Sequence, residues 1–154
     1  MSANDLSITR VIDAPRAAVW RCWVESDLLK QWYCPKPWFV SRAEMDVRAG
    51  GASLVVMNGP NGEENVLPGQ YLEVRDGEAL SFTDAFVGDW RPGAGKPFMV
   101  GYVTLSDAPG GKTHMIWGAR HWTQEDCETH RAMGFEQGWN AAADQLNDLA
   151  KSLA

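Results

Sequence analysis

The sequence predicts an α+β fold in which a curved antiparallel β-sheet wraps around a long C-terminal helix, with two short helices after the first strand. Three observations carry this. The hydrophobic period changes from helix-like near the N-terminus to strand-like through the middle. The middle is cut by Gly, Asn-Gly and Asp-Gly turns, the vocabulary of antiparallel hairpins. The C-terminal segment then returns to a helical period with one continuous apolar face.

Taken in order, "SITRVIDAP" alternates Ile8, Arg10 and Ile12 against Thr9, Val11 and Asp13, and reads as a first strand. Asp13 is placed to cap the next helix, and Pro15 sits at its start, where a missing N–H costs nothing. "RAAVWRCWV" then puts Val19, Trp20 and Trp23 on one helical face. A second short helix over 26–32 offers Leu28, Leu29 and Trp32 to the same core, and Pro35 and Pro37 end it. Short apolar runs follow at 44–47, 52–58, 65–74 and 79–84. "FVGDWRPGAGKPF" is an irregular crossing, suited to a lid or a dimer contact. Two strands flanking "APGGK" make the clearest hairpin, and the second alternates Met115, Trp117, Ala119 and His121 against their neighbours.

The last element begins at "TQED", where Thr123 and Asp126 resemble a capping box. Its apolar face is Phe135, Trp139, Ala142, Leu146, Leu149 and Leu153. One helix of about 28 residues would run roughly 42 Å and cover the apolar face of the sheet. It carries two glycines, Gly134 and Gly138, each of which should cost roughly 0.5 to 1 kcal/mol against alanine in a helix interior. They are four apart and share a face, so the backbone there can approach a neighbouring strand, another subunit or the contents of a cavity.

The chain of 154 residues reads as one domain, 1–154, without repeats or linkers. Its net charge of −6, from 14 basic and 20 acidic side chains, argues against a surface dedicated to nucleic acid or anionic lipid. The N-terminus shows no leader pattern and no window is apolar enough for a membrane span. Cys22, Cys34 and Cys127 are odd in number and widely spaced, which points to buried thiols in a reducing compartment, the cytoplasm.

No metal site is expected, since His114, His121 and His130 show no ligand spacing. No cofactor is expected either, because the glycine-rich stretches fit neither a phosphate loop nor a dinucleotide fold, and no serine elbow appears. Glu44, Arg120 and His121 are the polar side chains expected to reach inward, pairing with one another or orienting a ligand. Trp38, Phe39, Met57, Phe82, Trp90, Met99 and Trp117 are candidates to line an apolar pocket or to fill the interior. Gly134, Phe135, Gly138 and Trp139 would complete that lining from the helix.

The strand, "DAP", Val19-Trp20, Leu28 and Trp32 at the start, with Met133-Gly134-Phe135, Gly138-Trp139 and Leu146 at the end, resemble the Hsp90-ATPase-activator-like group of the START-like helix-grip superfamily. The resemblance spans 7–153. It implies a cavity between a curved sheet and the terminal helix, a place where superfamily members variously bind lipids, hormones or polyketides or carry out cyclisations. Others act as co-chaperone modules; the eukaryotic co-chaperone has an additional N-terminal domain, for which these 154 residues are expected to have no room.

Three functions follow as expectations. The first is binding of a small apolar or aromatic metabolite in the cavity. The second is a cyclase- or hydrolase-like enzyme in the same place, with His121 or Glu44 as base and Arg120 stabilising negative charge. The third is a protein-interaction module with a solid core, engaging a partner or its own copy as a homodimer.

Overall fold

The computed structural model describes residues 4–154; residues 1–3, the start of the segment read above as free of a leader, lie outside it. Strand β1 (Asp5–Ile12) is followed by helices α1 (Arg16–Val24) and α2 (Ser26–Leu29). Six strands come next: β2 (Phe39–Met45), β3 (Ala52–Asn58), β4 (Glu64–Arg75), β5 (Ala79–Thr83), β6 (Met99–Ala108) and β7 (Lys112–His121). Helices α3 (Gln124–Ala132) and α4 (Phe135–Leu153) close the chain.

The strands form one antiparallel sheet in the order β1-β7-β6-β5-β4-β3-β2. From β2 to β7 every strand pairs with its neighbour in sequence, so β1 alone is out of order. Helices α1 and α2 therefore carry the chain from one edge of the sheet to the other. The inward face follows the alternation of β7, where Met115, Trp117, Ala119 and His121 are all buried. Trp117 stands opposite Ile8 on one side and Val103 on the other, which places three apolar side chains in one row. Register shifts at Val40/Arg42 and Tyr71/Glu73 bend the β2–β5 end of the sheet.

Several boundaries differ from the sequence reading. Asp13 does not cap α1: its carboxylate pairs with Lys112 at 3.1 Å, and Pro15 holds the cap position with no side-chain bond. The second helix stops at Leu29, yet single turn bonds continue the coil to Tyr33 and deliver Trp32 fully buried, its indole N–H donating to the Cys22 carbonyl at 2.9 Å. Strand β2 begins at Phe39, ahead of the expected 44–47. It is an edge strand with β3 as its one partner, and Phe39, Ser41 and Arg42 face solvent, so there is no apolar alternation to read.

The largest correction concerns the end of the chain. The single 28-residue helix is two. The Thr123 hydroxyl accepts the Asp126 backbone N–H at 3.0 Å, capping α3 as expected. The chain then breaks at Gly134, whose φ of +87° is left-handed. Helix α4 has 19 residues, about 28 Å of axis, and buries Phe135, Ala142, Ala143, Leu146 and Ala150 against the sheet and α1. Among the described residues, no helix is long and apolar enough to cross a membrane. The three cysteines are free and buried, and burial pushes the Cys22 and Cys34 thiols up to about 11.

Candidate functional site

Between the sheet and α4 lies a hollow of about 370 Å³. Met57 and Leu67 bound it from the hairpin β3–β4, Met99 and Trp117 from β6 and β7, and Phe135, Gly138 and Trp139 from α4. Tyr33, Cys34 and Pro35 close it on the α2 side, with His130 of α3 and Met133 and Gly134 at the helix break. Its lining includes the exposed Leu67, at 46%, and Met133, at 72%. A second hollow of about 160 Å³ shares Tyr33, Leu67, Phe98 and Met99 with the first, and adds Val55, Gln70, Phe82 and Thr83. Among the described residues, no Lys, Arg, Asp or Glu side chain lines the larger hollow.

The two glycines contribute to this space in different ways. A Cβ on either would meet nothing within 4 Å, so neither glycine is packed against a strand. Gly134 makes the break that turns α3 away from α4. Gly138 leaves the wall of α4 bare beside Trp139, which stacks on Trp117 with centroids 4.2 Å apart and planes at 26°.

The polar side chains on these walls include Tyr33, Asn65 and His130 at the larger hollow and Ser53, Gln70, Thr83 and Asp84 at the smaller. His121 and His130 converge, the His121 Nε2 and His130 Nδ1 lying 2.8 Å apart. The other nitrogen of His121, Nδ1, meets the Asn4 carbonyl at 2.7 Å. Burial, then the neighbouring His121, pushes His130 down to about 4. Gln70 is fully buried on β4; its carbonyl oxygen accepts the N–H groups of Gly88 and Trp90 at 3.2 and 2.8 Å. Those two bonds decide the orientation of the amide and leave its Nε2 without a partner. The Trp117 Nε1 is buried too and, among the described residues, has no partner. Tyr33 borders both hollows, and burial drives its hydroxyl well above the ordinary phenol range.

Of the residues singled out from the sequence, Met57, Met99, Trp117, Gly134, Phe135, Gly138 and Trp139 border the larger hollow and Phe82 the smaller. Trp38, Phe39 and Trp90 border neither, and Phe39 and Trp90 are more than half exposed. Glu44 does not reach inward: it is exposed and pairs with Arg42 on the outer face of β2. Arg120 is likewise outside, its guanidinium 4.1 Å above the Tyr102 ring and 4.0 Å from Asp5. Both lie on the solvent face of their strands, Arg120 by alternation with the buried Ala119 and His121. His121 is buried but stands behind His130 rather than on the wall. Tyr33 and Gln70 were not singled out, and His130 was weighed only as a metal ligand. His130 carries the signal of a helical residue between Cys127 and Trp139, whereas nothing in sequence joins it to His121. Among the described residues no group of three metal-ligating side chains gathers.

A more voluminous, mostly polar groove of about 630 Å³ lies between the edge strand β1 and the start of α4, past Arg131, Glu136 and Asn140. It lacks the buried unpartnered groups of the interior hollows.

The family model of the Activator of Hsp90 ATPase homolog 1-like proteins matches residues 13–151. The chain belongs to this family. A protein of Nitrosomonas europaea of known structure is similar at 35% identity, with a TM-score of 0.94 over 99% of this chain and 97% of that one. One from Rhodobacter sphaeroides superposes at 0.84 with 19% identity, covering 99% and 95%. One from Mycobacterium smegmatis does so at 0.80 with 23% identity, covering 96% and 90%. The last two show the fold alone. No curated protein matches the chain.

Proposed function

We propose that this family member binds a small, uncharged, apolar or aromatic molecule between its sheet and α4. The observation that carries the reading is the larger hollow itself, about 370 Å³ of space bordered by aromatic and thioether side chains and by no charged one. An ionised ligand would lose its hydration there without gaining a counter-charge. Met57, Met99 and Met133 give the walls adaptable surfaces, and the uncovered backbone at Gly138 widens the space at no cost to packing.

A cyclase- or hydrolase-like reaction has less support. Glu44 and Arg120 lie outside the hollow, and the histidine that borders it is pushed far below the range useful to a general base at neutral pH. The three buried free thiols favour a reducing compartment, the cytoplasm. Exposed Phe39 and Trp90 are the side chains that would serve a homodimer contact.

Mass spectrometry of the purified protein under native and then denaturing conditions tests the reading. A small molecule present in the first spectrum and released in the second supports it. An empty protein that also binds none of naphthalene, 2-naphthol or an apolar dye by calorimetry overturns it. The native spectrum reads the oligomeric state directly.

A further inference from the structure

Resting on the cavity reading, we infer that His130 presents a bare Nε2 acceptor to the cavity, and so selects a neutral aromatic ligand that donates a hydrogen bond, a phenol-type hydroxyl or a ring N–H.

Asn4, His121 and His130 form a chain of hydrogen bonds whose polarity starts at the backbone. A carbonyl oxygen can only accept, so the 2.7 Å contact with Asn4 places the proton of His121 on Nδ1. With one ring proton, placed on Nδ1 by that carbonyl, His121 has its lone pair on Nε2. The 2.8 Å contact between the rings must therefore be donated by His130 from its own Nδ1. With its proton committed there, neutral His130 has an unprotonated Nε2. That nitrogen has no partner among the described residues, and the ring it belongs to borders the larger hollow.

The surroundings define what can approach. Phe98 and Phe135 stand edge-on to the His130 ring at 5.1 Å and Trp139 at 5.7 Å, an aromatic collar suited to a flat ring. No cation borders the hollow to neutralise a carboxylate or phosphate, and the bare lone pair would repel one. Burial keeps His130 neutral across the physiological range, so the acceptor does not switch off near pH 7. The same property makes His130 a recognition group rather than a catalytic base.

Calorimetric titration with 2-naphthol, 2-methoxynaphthalene and naphthalene tests the inference. The first two have similar ring systems and differ in whether the oxygen can donate. Binding of 2-naphthol at least tenfold tighter than 2-methoxynaphthalene is expected, with the gap closing in His130→Phe while naphthalene binding persists. Equal affinity for the two oxygen compounds overturns the acceptor and leaves the cavity standing. Failure of all three to bind overturns both. Imidazole ¹⁵N shifts of the unliganded wild-type protein need neither a ligand nor a variant that folds: both histidines are expected in the Nδ1–H form, and an Nε2–H signal for His130 would sink the proposal.

Discussion

The backbone N–H of Gly138 donates to the carbonyl of Gly134 at 2.8 Å, closing the first turn of α4, yet the two glycines answer different needs. Both face open space. Gly134 is left-handed at φ +87°, a conformation that costs an L side chain about 1 to 2 kcal/mol. Gly138 lies inside the helix with ordinary geometry and is bare only because its outward direction is the hollow.

Alanine at the two positions should therefore act with opposite signs. Gly138→Ala is expected to stabilise by roughly 0.5 to 1 kcal/mol, the helix-propensity difference. Gly134→Ala is expected to destabilise by about 1 kcal/mol despite having as much room. Urea denaturation of the two variants checks this, and equal signs would refute the assignment of the break to Gly134. A bulky Gly138→Trp should fold and lose whatever occupies the hollow.

Gln145 fastens α4 to the segment between α2 and β2. Its amide nitrogen donates to the carbonyls of Trp32 and Cys34 at 3.0 and 2.9 Å, and its oxygen accepts the Lys36 N–H at 3.0 Å. Each such bond is worth about 1 kcal/mol net, and an orphaned partner costs more when water cannot reach it. Gln145→Leu should lower the unfolding free energy by about 2 to 4 kcal/mol. A loss under 0.5 kcal/mol would mean that solvent replaces all three bonds.

How legible this was depended on whether a residue's environment is local. The alternation Met115, Trp117, Ala119, His121 and the spacing Phe135, Ala142, Leu146 report burial directly, because period and face are properties of one element. The helix break at Gly134 was written in the sequence but hidden by the period continuing on both sides of it. Arg120 is sent outward by that same alternation in β7, being adjacent to His121, whereas Glu44 sits on an edge strand with no apolar alternation to mark its face. The pairing of His121 with His130 was out of reach, since β7 and α3 must first be folded against each other. Gln70 is harder still: its meaning lies with Gly88 and Trp90, across the crossing loop.

The pH dependence of stability should carry the signature of His130. Its native value is pushed from the ordinary 6.5 to about 4. Between those values the unfolded chain binds a proton that the native state refuses, so unfolding is favoured as the pH falls. The contribution of His130 is fully present above about pH 6.5 and is lost as the pH drops toward about 4. At 1.36 kcal/mol per unit the total is on the order of 3 kcal/mol. Denaturation midpoints from pH 4 to 8 in the wild type and His130→Phe isolate it by difference. A variant with the same slope as the wild type would contradict the assignment.

The crossing loop between β5 and β6 should depend on Gln70 more than on its own sequence. Asp89 and Trp90 both have positive φ, +51° and +62°, which non-glycine residues adopt only when something holds them. The Gln70 carbonyl takes the Gly88 and Trp90 N–H groups, while the Asp89 N–H donates to the Gly50 carbonyl at 2.8 Å. Gln70→Leu would leave two amide hydrogens without an acceptor and release a strained pair of residues. The expected result is a loss of about 2 to 4 kcal/mol, or a loop that rearranges to recover part of it. Hydrogen exchange separates these outcomes: the Trp90 amide should exchange at least tenfold faster in the variant than in the wild type, while amides of β6 and β7 stay protected if only the loop yields. Unchanged protection at Trp90 would show that the loop holds its left-handed residues without Gln70.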